Sequence, residues 1–593
     1  MHQHRGVEVT LGILFAFACG ADRGPAPQSR AQIESPPAAT PSEVRKASAT
    51  ASTSLPLSSK IDPIFAALGA PGHPGCAVGI YRAGDVLLSR GYGLANVEHA
   101  VAMTSDDVFD IASISKQFTA MAVLLLEREM KLSLEDDVRK YVPEIPDYGH
   151  VIRLRHLLHH TAGLRDYNSL LPLAGREFDR VTDEDLLRLM HMQLAPNFSP
   201  GTRYEYSNVG YVVLGVVVRR VAGMSLAEFE RRRIFEPLEM KNTLIMDDHR
   251  AAVRHRATGY LDAGLHVAIS RWEFAGPSRV GTTVDDLAKW DSNFYEPRVG
   301  DHQLIAEMRT IGTLDDGKPL HYAGGLVEER RNGRRVEEHS GGTAGYRSEL
   351  IRFPDDRLTV ACLCNSSSID VLALTKAVSD AVLPPVASDT AARLASQSAP
   401  EASESALDLV VGAYYDPLTF EVLRVQRDQS SLKVGWDLEP SNWVSLTYVA
   451  ESQFTNADGR VLFRFEPGPR GAPGRLVRSY KDMDESDVVM MRFEPWTPAA
   501  AQLAEYAGRY SSDEVPRELE LSIVDGKLRS GTWGVAPDVD PMTPTGHDRF
   551  QAGWGGVAFE RDASGRIRAF VASGDGFHGI RFVRREARLR PRA

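Results

Sequence analysis

The spacing of apolar positions changes several times along the chain, and each change predicts a different element. Cys76-Ala77-Val78-Gly79-Ile80-Tyr81 reads as a strand, Arg82-Ala83-Gly84-Asp85 as a turn and Val86 to Arg90 as a second strand, together an antiparallel hairpin. From Lys116 to Met130 the apolar residues Phe118, Met121, Leu124, Leu125 and Met130 fall at helical spacing, with no Pro or Gly between them. Later segments alternate helix and loop. The run Leu350 to Asn365 returns to strand and Val371 to Leu383 to helix. A hairpin first, helices in the middle and strand and helix last predict an α+β domain over residues 59–385. Its antiparallel sheet is closed by distant parts of the chain.

Beyond this domain the pattern is that of a repeat. Gly412, Tyr414, Leu432, Phe454 and Phe463 recur as Gly508, Tyr510, Leu528, Phe550 and Phe559, each pair 96 residues apart. Each unit opens on Gly-x-Tyr and continues in short alternating strands. Turn signals such as Ala457-Asp458-Gly459 and Val524-Asp525-Gly526 separate the strands. Gly471-Ala472-Pro473-Gly474 is an insertion in the first copy. Two β-rich units follow, 406–500 and 501–590, as two barrels or one composite barrel. Neither unit shows residues in a catalytic context.

Two stretches have no period. Residues 20–58 and 386–405 are rich in Ala, Pro and Ser, and no aromatic residue lies between Cys19 and Phe65. Such segments bury too little apolar area to offset their ordering entropy and read as linkers. Residues 1–19 read as an export signal: a mostly apolar run from Val9 to Ala18 ends in Ala16-Phe17-Ala18, directly before Cys19. That placement is similar to a bacterial lipoprotein signal. Cys19 is therefore expected to carry lipid and attach the chain to a membrane of the cell envelope, with 20–58 as a tether. Ala16 stands where such signals prefer leucine, so plain cleavage and release into the periplasm or medium is the rival expectation.

Composition fits this picture. The 593 residues are 43% hydrophobic and 25% charged, too long for one core and unlike a disordered or polytopic membrane chain. Lys+Arg of 68 against Asp+Glu of 79 gives a net charge of -11, which argues against nucleic acid as a partner. Four cysteines, Cys19, Cys76, Cys362 and Cys364, make no disulfide framework. Cys362 and Cys364 are expected to be small buried core residues.

The chemistry begins at Ser113-Ile114-Ser115-Lys116. On a first helical turn i and i+3 face the same way, so the Lys116 amine reaches the Ser113 hydroxyl. A serine hydroxyl becomes a nucleophile only when a base takes its proton. The same spacing recurs at Ser430 and Lys433, so alone it is weak. Two further motifs follow in order: Tyr206-Ser207-Asn208 and His339-Ser340-Gly341-Gly342-Thr343. With Arg155-His156-Leu157-Leu158-His159-His160-Thr161-Ala162-Gly163-Leu164 and Thr282-Thr283-Val284-Asp285-Asp286 around them, residues 60–385 resemble the serine β-lactamase and penicillin-binding-protein superfamily. The likeness is to its branch of class C β-lactamases, D,D-carboxypeptidases and related esterases. The β-rich repeats are similar to the lipocalin-like domains that follow the catalytic domain in such proteins.

The resemblance implies roles. Ser113 is the acylated nucleophile, with Lys116 and Tyr206 as its proton-transfer pair. Asn208 orients Lys116 or the substrate amide. His339, Ser340 and Gly341 bind substrate, and the N–H groups of Ser113 and Gly342 form the oxyanion hole. The expected protein is an exported serine hydrolase acting through an acyl-enzyme on amide or ester bonds, of D-amino-acid peptides or small esters and, after these, of β-lactams. It needs no cofactor and no metal; the rival is a non-catalytic ligand-binding or sensor protein on the same fold. The cluster His156, His159 and His160 is expected to be structural.

Two departures qualify the likeness. His339 replaces the lysine that opens the third motif in many relatives, which predicts slow turnover of β-lactams. Gly276-Pro277-Ser278-Arg279-Val280 replaces a glycine-rich turn, and Arg279 is expected either to reach the cleft or to be a solvated loop residue. Trp272 and Tyr346 are candidates for the cleft wall or for core packing.

Overall fold

The structure is a computed structural model that describes residues 56–383 and 403–585, apart from 177–178, 262–264, 332, 437–442, 451, 457–458, 469–472, 482–483 and 533–539. The export signal, Cys19 and nearly all of both linkers lie outside the described residues. The end of the second linker does not: Ser403 caps a helix Glu404–Val410 through its hydroxyl.

A six-stranded antiparallel sheet carries the first unit. Its strands are β1 (Cys76–Arg82), β2 (Asp85–Tyr92), β3 (Val327–Arg331), β4 (Arg334–Thr343), β5 (Tyr346–Phe353) and β6 (Leu358–Cys364), in the order β3-β4-β5-β6-β1-β2. The β1–β2 hairpin turns on Ala83 and Gly84, both at positive φ, as a two-residue hairpin loop requires. The strand expected over Leu350–Asn365 is two strands. Pro354 lacks an N–H and Arg357 sits at φ +52, so the chain reverses through Pro354–Asp356 between β5 and β6.

Both faces of the sheet are covered, which is why its central strands read as unbroken apolar runs. Val78, Ile80 and Val360 pack with Val371 and Val378 of the helix Val371–Val382 on one face. Ala77 and Tyr81 pack on the helical layer of the other face. That layer is centred on α1 (Lys116–Arg128) and α2 (Asn208–Ala222), with every residue of α1 from Lys116 to Leu126 buried. Gly223, at φ +69, ends α2.

Cys76 and Cys364 form a disulfide between paired positions of β1 and β6, which corrects the expectation of two unbridged core thiols. The partners are 288 residues apart and meet only through the sheet register. Cys362 is free and buried, as expected.

The repeat forms two separate barrel-like sheets. The first is a closed barrel of eight strands between Gly412–Tyr415 and Val488–Phe493. The second is a nine-stranded sheet, Gly508–Ser511 to Phe577–Arg585, whose edge strands do not pair among the described residues. The repeated residues hold equivalent places. The hydroxyls of Tyr414 and Tyr510 each donate to the carbonyl four residues back, at Val410 and Tyr506. Arg492 and Arg584 lie over Gly412 and Gly508, where a Cβ would meet each guanidinium.

Both barrels dock on the first unit. Arg460 of the first barrel pairs with Glu329 at 2.8 Å, and Asp484 accepts from the His321 N–H and ring. The core of the second barrel is continuous with that of the helical layer, and Arg165 and Glu514 form a buried ion pair across the junction.

Candidate active site

Ser113 lies in a single 3₁₀ turn, Ala112–Ser115, that leads into α1. Ala112 sits at φ +48 and donates its N–H to Asp110 Oδ1 at 3.0 Å, so the chain turns sharply just before the nucleophile. Lys116, on the first residue of α1, places its Nζ 3.0 Å from Ser113 Oγ, 2.8 Å from Asn208 Oδ1 and 3.2 Å from the Pro277 carbonyl. The Ser113 hydroxyl lies close enough to the Tyr206 phenol to act on its pKa, and Lys116 Nζ lies 4.8 Å from the centre of the Tyr206 ring. Ser113, Lys116, Tyr206 and Asn208 are thus brought together from two regions of the chain, as expected.

Electrostatics divides these groups. Lys116 is fully buried, and burial pulls its amine down to about 7 against the opposing charge of Asp166. Burial pushes the Tyr206 phenol up, the Ser113 hydroxyl opposes this and the Asp166 charge adds to it, so the phenol stays protonated. An amine near 7 accepts a proton at neutral pH, and a neutral phenol gives one.

His339 stands on β4. Burial, then the nearby Lys116, lowers its imidazole to about 3, so the ring is neutral. Its Nδ1–H donates to the Ser340 carbonyl at 2.7 Å, and its Nε2 faces the Tyr322 hydroxyl at 3.0 Å. β3 pairs with β4 only as far as Glu338, which leaves the edge from His339 to Thr343 open. Ser340 and Gly342 are exposed on that edge. Gly341 has to be glycine: a Cβ there would lie 2.3 Å from the Ile111 carbonyl and 2.4 Å from Ser348 Oγ.

Arg279 meets neither expectation. It is 2% exposed, pairs with Asp110 at 3.4 Å and donates to the Met246 carbonyl at 2.8 Å, so it braces the turn before Ser113. Tyr346 is core, its hydroxyl donating to Ala257 O at 2.6 Å, and Trp272 is half-buried against Tyr167 and Phe274. Of the three histidines, His160 packs its ring on Tyr206 with centroids 4.3 Å apart. His156 and His159 are both lowered to about 4 by burial, then by Arg155.

Sequence reasoning missed the contribution of the second barrel. The turn between its strands Ile567–Gly574 and Phe577–Arg585 reaches Asp166, Asn197 and Glu205, which all precede the Tyr206 motif in the chain. Gly576 O accepts from the Asp166 N–H at 2.7 Å and from Asn197 Nδ2 at 3.1 Å. The His578 N–H donates to Asn197 Oδ1 at 2.9 Å, and its ring meets Glu205 at 3.1 Å. Burial works upward on Glu205, but His578 and Arg203 outweigh it and hold the carboxyl below its ordinary range. The Asp575 side chain reaches solvent although protein surrounds its carboxyl closely. Burial, then the charges of Glu205 and Asp166, push its carboxyl up to about 7. No signal in the chain marks this turn as part of a site.

Comparison with known proteins agrees with this geometry. The Beta-lactamase family model matches residues 61–382, more than half of the chain, and the chain belongs to that family. It is 27% identical over 491 residues to a D-aminopeptidase of Gluconobacter oxydans, covering 81% of this chain and 88% of that protein. It is 30% identical over 303 residues to penicillin-binding protein 4* of Bacillus subtilis, covering 48% of this chain and 66% of the relative. Among solved structures, the octameric penicillin-binding protein homologue from Pyrococcus abyssi shares the fold. Its TM-score is 0.50 at 22% identity, over 73% of this chain and 99% of that one. The chain is a serine hydrolase of this family, related to D-aminopeptidases.

Proposed function

We propose that this chain hydrolyses D-aminoacyl amides and short peptides that begin with a D-residue whose α-amine is free. The observation that carries this reading is the set of carboxylates around the second-barrel turn whose Gly576 carbonyl bonds the Asp166 N–H. Asp575 lies there with Glu205, Asp166, Glu421 and Glu485 within electrostatic reach, and their mutual repulsion favours a cationic guest. An α-ammonium is such a guest. The D-aminopeptidase relatives support the same substrate class.

In this reading Ser113 Oγ attacks the carbonyl carbon while its proton passes to the Lys116 amine, which Asn208 and Pro277 O hold in place. The oxyanion forms against the N–H groups of Ser113 and Gly342. The C–N bond then breaks as the Tyr206 phenol protonates the leaving nitrogen, and Lys116 returns the proton to Tyr206. Water then hydrolyses the acyl-enzyme by the same groups in reverse.

Rates with D-alanine p-nitroanilide, its L-isomer and its N-acetyl derivative test the proposal. The free D-amine is expected to exceed both others by about tenfold or more, and Asp575→Asn to reduce that preference for the free amine. Preference for the N-acetyl compound contradicts it.

We also propose export to the cell envelope, anchored through a lipidated Cys19. The Cys76–Cys364 disulfide supports an oxidising compartment.

A further inference from the structure

Helix α2 begins one residue after Ser207, yet the Ser207 side chain does not cap it. The cap comes from a distant residue. Asp166 Oδ2 accepts from the backbone N–H of Asn208, from the Val209 N–H at 3.3 Å and from Ser207 Oγ at 3.1 Å. Its other oxygen accepts from the Asn168 N–H at 2.8 Å and caps the helix Tyr167–Leu173. Asp166 is 3% exposed. Its charge also acts on Lys116, where it opposes the loss of the proton that burial favours.

The backbone of Asp166 is held in turn by the second barrel, through its N–H to Gly576 O at 2.7 Å. Gly576 sits at φ +74, and a Cβ on it would lie 2.8 Å from Asp166 Cβ and 3.4 Å from Ser169 Oγ. The two backbones approach this closely only because residue 576 has no side chain. Gly579, in the same hairpin at φ +73, has nothing within 4 Å of its Cβ position.

We propose that Asp166 is the positioning residue that fixes Tyr206 and Asn208 for acyl transfer, and that the second barrel sets its place through Gly576. A barrel with no residue in the proton-transfer chain thereby controls the rate of the chemical step. The capping carboxylate holds the first N–H groups of α2, so a shift of Asp166 moves Asn208 against Lys116 and Tyr206 against Ser113. The proposal rests on the serine-hydrolase chemistry of Ser113 and not on the D-aminoacyl substrate.

The test uses the full chain with p-nitrophenyl acetate and a fluorophosphonate probe, and compares Asp166→Asn, Gly576→Ala and Gly579→Ala. Asp166→Asn is expected to lower kcat on the order of 10- to 100-fold, the scale of a displaced catalytic group. KM is expected to change by less than about threefold. Because the variant removes a negative charge that favours protonated Lys116, the acid limb of kcat/KM moves to lower pH. Gly576→Ala is expected to lower kcat in the same sense and leave that limb in place, and Gly579→Ala to behave as wild type. Wild-type kcat in Gly576→Ala, or an unmoved acid limb in Asp166→Asn, overturns the proposal. If Asp166→Asn does not fold, Gly576→Ala against Gly579→Ala decides it. Failure of the wild type to label at Ser113 would instead sink the serine-hydrolase reading. Labelling without turnover of D-aminoacyl substrates would sink only the substrate assignment.

Discussion

The Nε2 of His339 faces the Tyr322 hydroxyl at 3.0 Å while its Nδ1–H donates to the Ser340 carbonyl. A carbonyl only accepts, so the proton is on Nδ1 and Nε2 is the bare acceptor of the tyrosine hydroxyl. Protonating the ring would set a second N–H against that hydroxyl and add a charge beside Lys116. The third motif therefore presents a neutral, polar wall instead of a cation.

The first prediction follows for β-lactams, whose carboxylate finds no fixed positive charge at His339. Nitrocefin is expected to turn over more slowly than p-nitrophenyl acetate under the same conditions. Equal or faster nitrocefin turnover contradicts the neutral-wall account.

The pH dependence follows from Lys116. Burial disfavours its charged form and brings the amine to about 7, and only the neutral amine can take the Ser113 proton. Acylation is therefore expected to rise with pH up to about 7, by about tenfold per unit well below it, and then to level. Rates of fluorophosphonate labelling between pH 5 and pH 9 read this directly. A flat profile through this range would mean that the base is another group.

The junction of the second barrel with the helical layer depends on a buried charge pair. Arg165 and Glu514 are 3% and 7% exposed, and Arg165 also donates to Gln193 Oε1 and to the His578 carbonyl. Removing one partner leaves a buried charge uncompensated, at a cost of about 3–5 kcal/mol. Glu514→Ala is expected to lower the melting temperature of the full chain and to expose the barrel junction to protease. An unchanged melt contradicts the assignment of this pair as the clamp.

For the membrane anchor the expected outcome is a change of fraction. Cys19→Ser should move the protein from the membrane to the soluble fraction with its hydrolysis intact, since attachment is assigned to that one sulfur. A wild-type protein already soluble, with an unmodified amino end near Cys19, contradicts the anchor and leaves the catalytic assignment untouched.

How much of this was legible in the chain depended on distance along it. Ser113 and Lys116 are three apart on one helical turn, and local geometry alone puts their side chains together. Tyr206 and His339 were found through motif order, which stands in for contacts that spacing cannot supply. The β1–β2 hairpin, α1 and the helix Val371–Val382 followed from period and turn chemistry. The β5–β6 turn was missed although Pro354-Asp355-Asp356-Arg357 marks it, because apolar flanks on both sides read as one continuous strand.

The remaining contacts join residues far apart, with nothing local to mark them. Cys76 and Cys364 pair across 288 residues through sheet register. Arg165 and the His578 carbonyl meet across 413 through docking of a separate barrel. Arg279 looks like any loop arginine until Asp110 is found beside it. The repeat showed that two β units exist, but not that one of them reaches the Tyr206 motif.

The central claim is that Ser113 is the nucleophile and Lys116 its base. Labelling the full chain with a fluorophosphonate at pH 8, followed by peptide mass mapping, tests it most directly. The account predicts a single modified residue, Ser113, with no labelling in Ser113→Ala and strongly reduced labelling in Lys116→Ala, both variants folded as the wild type. Modification at Ser115, Ser430 or any other serine, or undiminished labelling of Ser113→Ala, would contradict it.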